Sequence, residues 1–212
     1  MKNVIISCLT LEKEIDMVMK NQNTDMDVYY LPYELHSSPE KLHNHLQNLI
    51  DSITDADRIM LCVSKCGNST AGLIATTAEL VIPKTDDCLD ILLSDKSVDS
   101  IERDSHGIFI TESWMGSFRN SSLDLCTMTQ KFGRAAAEEK LKNIYSGYTD
   151  FYIIDTGAYD TKPVKEYISP LVRILNGTLH IDKGRCGILH KMITEQIDDD
   201  FYTVLKGCIF DR

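Results

Sequence analysis

The sequence has no long apolar run, few prolines and a minority of basic residues. Of its 212 residues, 5 are proline, 1 is tryptophan, and 22 Lys or Arg stand against 32 Asp or Glu. No apolar stretch approaches the roughly 20 residues that a membrane-spanning helix needs. A net charge of −10 repels phosphate backbones and anionic lipids. We therefore predict no nucleic-acid partner and no membrane partner.

Cysteine is better represented, with seven residues, an odd number that does not pair fully into disulfides. Residues 1–8 are too short, and too soon followed by charge, to form a secretory signal. We therefore predict a cytoplasmic protein. In a reducing cytosol, thiols are more often buried, catalytic or metal-bound than paired.

Short apolar runs alternate with amphipathic stretches along the chain. The run at 58–64 is nearly continuous, which is typical of a strand covered on both faces. This alternation predicts an α/β fold, a Rossmann-like three-layer sandwich with a largely parallel sheet. The predicted strands are 3–8, 27–31, 58–64, 79–83, 108–111, 151–155 and 179–181. The predicted helices are 12–20, 39–53, a short one after Gly72, one from Cys88, 123–145, 163–175 and one near Ile188.

We expect a single α/β domain over residues 1–212. The length suits one globular domain or two small lobes that share a core. The polar stretch 94–104 is where two lobes would divide, although it contains neither proline nor glycine.

Cys8, Cys66 and Cys88 each follow an apolar run, and His36 follows another. The carboxyl ends of parallel strands share one edge of a sheet, so these four residues are expected to converge there. Three thiolates and an imidazole are a ligand set of tetrahedral zinc sites. Their spacing matches no short finger motif, so the zinc site depends on the predicted topology. The other four cysteines are interpreted as structural or incidental: Cys62, Cys126, Cys186 and Cys208.

Four residues of the turn after Cys66 are candidate cofactor or substrate ligands: Gly67, Asn68, Ser69 and Thr70. The turn lacks the spaced glycines and the Lys-Ser/Thr ending of a nucleotide loop, but its backbone amides could hold a small anion such as a carboxylate. Trp114 could pack over a pocket or simply lie in the core.

Glu12 and Asp87 lie close in sequence to two candidate ligands and could act as general bases or orient those ligands. The structural alternatives are a solvated surface for Glu12 and helix capping for Asp87. His43 and His45 lie off the apolar stripe of their helix and are expected on a solvated face.

The run from Cys66 to Leu73, with Val81-Ile82-Pro83 and Asp87-Cys88, resembles the signature of the family called domain of unknown function 1638. Further similar blocks are Leu35-His36, Gly107 to Trp114 and Asp199-Asp200-Phe201. The resemblance implies an anaerobic source and a role beside corrinoid-dependent methyltransferases and corrinoid proteins. It also implies that Cys8, His36, Cys66 and Cys88 occupy the family's cysteine and histidine positions.

Three functions are compatible with these observations. The first is a protein that binds zinc, or alternatively iron or cobalt, in one-carbon and corrinoid methyl-transfer metabolism, with a small-molecule substrate or a corrinoid protein as partner. The second is a metal-free thiol enzyme, because Cys66 to Thr70 is similar to the cysteine turn of cofactor-independent amino-acid racemases. The third is a non-catalytic accessory that binds a corrinoid protein or delivers a metal.

Overall fold

Two units make up the chain in a computed structural model that describes residues 1–119 and 121–211, without the side chain of Ser37. The first unit comprises 1–101 and 185–211, and the second comprises 102–184. The boundary at residue 101 lies within the polar stretch 94–104. That the chain folds as a single domain stays a prediction. Among the described residues, no helix has both the length and the apolar character needed to cross a bilayer.

Strands and helices follow one another in the order expected of an α/β fold. The strands are β1 Asn3–Cys8, β2 Asp27–Leu31, β3 Arg58–Cys62, β4 Glu79–Pro83, β5 Gly107–Ile110, β6 Asp150–Asp155, β7 Thr178–Lys183 and β8 Phe201–Val204. The helices are α1 Glu12–Gln22, α2 Pro39–Ser52, α3 Cys88–Leu93, α4 Glu112–Phe118, α5 Leu125–Phe132, α6 Arg134–Ile144, α7 Thr161–Ile174 and α8 Gly187–Ile193. Short 3-10 turns span Leu9–Leu11, Tyr33–Ser37 and Val98–Ser100.

The sheet of the first unit has the strand order β2-β1-β3-β4-β8. The first four strands are parallel, and β8 runs antiparallel to β4. In the register of the central strands, Cys8 pairs with Leu31, and Ser7 pairs with Cys62. The carboxyl ends of β1, β2 and β3 therefore lie side by side, as the sequence predicts.

Helices cover both faces of this sheet. Val4 and Ile6 of β1 pack with Leu42 and Leu46 of α2 in one buried cluster. Side chains alternate along a strand, so Cys62 faces the opposite layer, where its sulfur lies 3.7 Å from that of Met192 in α8. Helix α8 also contacts α1 and α3. The three-layer, Rossmann-like prediction is confirmed.

The second unit has a parallel three-stranded sheet in the order β5-β6-β7. Residues of α4, α5, α6 and α7 form one buried cluster with Phe151 and Ile153 of β6. The other face of the sheet carries a row of stacked rings, in which Tyr152 lies 4.8 Å from Phe109 and 4.7 Å from His180, centroid to centroid.

The structure corrects several predicted elements. The predicted helix 123–145 is two helices, because Gly133 has a φ of 78°, which a right-handed helix cannot accommodate. The strand predicted to reach residue 64 ends at Cys62, and no helix follows Gly72, where residues 71–74 form turns and a bridge instead. Helix α4 and the antiparallel strand β8 are missing from the sequence prediction.

Candidate thiol-rich site

Four segments that leave the carboxyl edge of the first sheet carry the predicted ligands. Cys8 is the last residue of β1, and His36 lies in the 3-10 turn that follows β2. Cys66 lies in the turn after β3, and Cys88 is the first residue of α3, after β4. We call Cys8, His36, Cys66 and Cys88 the thiol-rich site. All four lie in the first unit.

Hydrogen bonds tie the segment after β3 to the segment after β4. The buried hydroxyls of Ser64 and Thr85 lie 2.6 Å apart. Lys65 Nζ contacts an Asp86 carboxylate oxygen at 2.7 Å, and the Cys66 amide donates to the Asp86 carbonyl at 3.2 Å. These bonds hold Cys66 beside the start of α3, where Cys88 is located.

The same turn also packs against the beginning of α2. A Cβ atom added to Gly67, whose φ is +70°, would lie 3.0 Å from Pro39 Cγ. His43 Nδ1 hydrogen-bonds to the Ser69 carbonyl at 3.1 Å. Because Pro39 begins α2 only three residues after His36, this packing brings the imidazole toward Cys66. His43 is half-buried at this contact, so the prediction of a solvated face for it is wrong.

Cys66 is the centre of the site. Its sulfur interacts with the Cys8 thiol and with the His36 imidazole. Cys88 is close enough for the charge of Cys66 to raise its pKa, and its sulfur accepts a hydrogen bond from Thr10 Oγ1 at 3.7 Å. Cys8 is fully buried and Cys66 is partly accessible.

The three thiols differ in acidity because of these contacts. The hydrogen bond from Cys8 and, to a smaller extent, the hydrogen bond and charge of His36 lower the pKa of Cys66 to about 6, against the opposing effect of burial. The pKa of Cys8 rises because its proton is held in the bond to Cys66 and because it is buried. Burial raises the pKa of Cys88 to about 12. These contacts therefore favour the thiolate form of Cys66 and the protonated forms of Cys8 and Cys88.

The fit of a metal to these residues rests on their donor chemistry. Three thiols and one imidazole suit zinc and other soft divalent ions. Within residues 1–119 and 121–211, no three His, Cys, Asp or Glu side chains stand in positions to hold one ion together. The four side chains instead form a series of pairwise interactions, Cys8 to Cys66 and Cys66 to His36, with Cys88 alongside.

Asp87 and Glu12, the predicted general bases, are placed at helix starts. Asp87 is the N-cap of α3, where its carboxylate accepts from the amides of Leu89 at 2.9 Å and Asp90 at 3.2 Å. Its charge also acts on Cys66, raising the pKa of that thiol slightly. Glu12 is exposed in the first turn of α1. The pKa of Tyr33 is raised mainly by the burial of Tyr33 itself and next by the charge of Glu12. A catalytic role for either stays a prediction.

The four residues of the predicted anion-binding turn differ in their exposure to solvent. Gly67 and Asn68 are exposed, whereas the side chains of Ser69 and Thr70 are buried, and the Ser69 amide donates to the Lys65 carbonyl at 2.8 Å. Cys66, Gly67 and Asn68 all have positive φ, so the turn is left-handed. Of the four residues, Gly67 and Asn68 are therefore the ones able to present amides to a ligand.

Trp114 lies in α4 of the second unit, where its ring is tilted against that of Phe118 with centroids 5.2 Å apart. Its role in cofactor binding stays a prediction.

The second unit also has a cavity of about 350 Å³ bordered by α4, α5 and α7, with Leu125 and Leu171 among its apolar walls and Asp124 among its polar residues. The sequence gives no signal of this cavity, because its walls come from ordinary amphipathic helices.

Thr10 is absent from the sequence interpretation, and His43 appears there only as a residue of a solvated helix face. Thr10 is buried beside Cys88, and His43 bonds to the turn that carries Cys66. A threonine in a 3-10 turn and a histidine at the edge of an apolar stripe carry no pattern that points to them. Of the cysteines interpreted as structural, Cys62 and Cys186 are buried, whereas Cys126 and Cys208 are exposed.

Comparison with known proteins gives one family match. No curated protein and no solved structure matches the chain. A family model described as "Protein of unknown function (DUF1638)" matches residues 30–193, which include His36, Cys66 and Cys88. The match covers well over half of the sequence, and the chain therefore belongs to the DUF1638 family.

Proposed function

We propose that the thiol-rich site binds a soft divalent metal ion, with zinc the first candidate and iron or cobalt the alternatives. The observation that carries the proposal is the interaction of Cys66 with both Cys8 and His36, with Cys88 beside them. Four separate segments supply these side chains, and a parallel sheet gathers such residues at its carboxyl edge. A cluster of three thiols and an imidazole, in which two of the thiols are buried, has few uses other than metal binding or thiol chemistry.

The residues of the thiol-rich site would have distinct roles in binding the ion. Cys8 and Cys88 are buried and would hold the ion from inside, whereas Cys66 and His36 lie on the accessible side. A bound zinc ion supplies Lewis acidity and keeps a coordinated thiol deprotonated at neutral pH. Thr10 orients the Cys88 sulfur through its hydroxyl, and Asp87 fixes the start of α3 that carries it.

We further propose that this site acts in one-carbon and corrinoid methyl-transfer metabolism in the cytoplasm of an anaerobe. The support is the family resemblance of the Cys66–Leu73, Val81–Pro83 and Asp87–Cys88 runs. The partner would be a small-molecule substrate or a corrinoid protein. Gly67 and Asn68, exposed beside Cys66, would contact the carboxylate or other anionic group of a substrate.

A metal-free thiol enzyme is the second candidate, favoured by the contact of His36 with Cys66. An imidazole and a thiol at hydrogen-bond distance are the usual parts of a thiolate nucleophile. A racemase is less suited to the geometry, because its substrate carbon must lie between two sulfur atoms, whereas the Cys8 and Cys66 thiols interact with each other. A racemase also needs a second cysteine turn, and Cys186, in the run Gly184-Arg185-Cys186-Gly187, is a poor candidate because it is buried and burial raises its pKa to about 12.

The test is metal binding by the purified protein and by single variants. Apo protein, prepared anaerobically with reductant and chelator and then freed of chelator, is titrated with zinc and analysed by calorimetry. We expect one zinc per chain in wild type and in Cys126→Ser, and lost binding in Cys66→Ser and Cys88→Ser. Equal binding by all four proteins, or none by wild type, would contradict the metal site. In the latter case, rapid alkylation of Cys66 supports the thiol candidate.

A further inference from the structure

The two thiols in direct contact differ in their access to solvent. Cys66 is partly accessible at the carboxyl edge of the sheet, and Cys8 is fully buried behind it at the end of β1. Cys66 packs against the buried cluster that contains Cys8, and the two thiols interact. Cys88 stands near Cys66 but its sulfur is engaged by Thr10. This is the usual arrangement of an attacked cysteine with a resolving cysteine next to it.

We propose that Cys66 and Cys8 form a reversible disulfide when the protein meets a peroxide, and that this oxidation closes the thiol-rich site. The reduced cysteines are the binding state, and the cross-linked pair is the closed state. The disulfide itself depends only on the contact between the two thiols. Its effect on metal binding rests on the proposed function.

The chemistry proceeds in two steps. The Cys66 sulfur attacks one oxygen of hydrogen peroxide, the O–O bond breaks, and Cys66 sulfenic acid and one water form once a proton is taken up. The Cys8 sulfur then attacks the Cys66 sulfur, the S–O bond breaks, and hydroxide leaves with the Cys8 proton as a second water. Two thiols are thus oxidised by two electrons to one disulfide, and one peroxide is reduced to two waters.

The backbone positions favour Cys8 as the resolving residue. β1 and β3 are adjacent and parallel, with Ser7 paired to Cys62, so Cys8 lies directly beside the path by which the chain leaves β3 toward Cys66. A disulfide has an S–S distance of about 2.05 Å, so its formation requires the Cys8 and Cys66 side chains to rotate toward each other. Cys62 faces the opposite layer, against Met192, and cannot compete.

The consequence for the site follows from ligand chemistry. Metal ions bind the thiolate form of cysteine, and a disulfide sulfur is a poor ligand. Closing the Cys8–Cys66 bond therefore removes two of four donors at once. A reductant restores both, because sulfenic acid and disulfide are the reversible oxidation states of cysteine.

The experiment uses full-length, reduced, metal-free protein treated with stoichiometric hydrogen peroxide, followed by alkylation of remaining thiols and peptide mapping by mass spectrometry. We expect a linked Cys8–Cys66 peptide pair in wild type, in Cys88→Ser and in the exposed-thiol control Cys126→Ser. In Cys8→Ser the link should be absent, and dimedone should label Cys66 as the unresolved sulfenic acid. Circular dichroism verifies that each variant is folded.

A link from Cys66 to Cys88, cross-links only between molecules, or a Cys66 that stays reduced while Cys126 reacts would overturn the inference. Zinc titration of the same samples distinguishes a failure of the redox inference from a failure of the proposed metal site. Disulfide formation in a protein whose reduced form binds no zinc refutes the metal site alone. Zinc binding by the reduced form without the disulfide refutes the redox inference alone. Binding lost on oxidation and restored by dithiothreitol supports both.

Discussion

The Cys8 thiol interacts with the Cys66 sulfur and so links the end of β1 to the turn that follows β3. These residues are far apart in sequence and adjacent only because their strands are parallel neighbours. A buried thiol that donates to a partly accessible sulfur stabilises the thiolate form of the acceptor.

The first prediction concerns the acidity of Cys66 in metal-free protein. The rate of its reaction with iodoacetamide, followed by peptide mapping, should rise with a midpoint near pH 6, because the thiolate is the reactive species. His36→Ala and Cys8→Ala should each move the midpoint upward, since each removes a hydrogen bond that lowers the pKa, and Cys8→Ala should move it further. A midpoint that is the same in all three proteins would contradict the contacts described.

The second prediction concerns Asp87. Asp87→Ala should lower the free energy of unfolding by about 1 kcal/mol through loss of the α3 cap, whereas Asp87→Asn should preserve it. Both should lower the Cys66 pKa slightly, because the carboxylate charge raises it.

The control for Asp87 is Asp160→Ala, which removes the N-cap bond to the Lys162 amide of α7 in the second unit. It should destabilise by a comparable amount and leave the alkylation profile of Cys66 unchanged. Urea denaturation measures the first effect and alkylation the second. If Asp160→Ala shifts the profile as Asp87→Asn does, the assigned role of Asp87 is incorrect.

The third prediction tests the helix break at Gly133. A Cβ there meets no atom within 4 Å, so Gly133→Ala should act through the backbone and destabilise by about 1–2 kcal/mol because of the positive φ. Gly116→Ala, in the exposed interior of α4 with equally open space, should instead stabilise by about 0.5–1 kcal/mol. Denaturant unfolding of both variants is the measurement, and stabilisation by Gly133→Ala would show a continuous helix.

The sequence predicts the elements of the fold that leave a local pattern in it. The apolar run at β3 and the Ser38-Pro39 start of α2 are local patterns, and both elements begin at the predicted residues, Arg58 and Pro39. The order of parallel strands follows from general rules, so the convergence of Cys8 and Cys66 could be predicted from the sequence.

Other features depend on tertiary contacts that no local pattern encodes. Gly133 interrupts an otherwise helical sequence, and only its φ reveals the break. β8 is a four-residue strand whose pairing with β4 is antiparallel, against the alternation that precedes it. His43 bonds to a carbonyl of the turn after β3, a contact set by how that turn folds back on α2.

The most direct test of the central claim is elemental analysis by plasma mass spectrometry of untagged protein, purified anaerobically without added metal, beside Cys66→Ser and Cys126→Ser. The account predicts about one zinc, iron or cobalt per chain in wild type and in Cys126→Ser, and metal near background in Cys66→Ser. Background metal in all three proteins, or equal metal in all three, would contradict a metal centre built on Cys66.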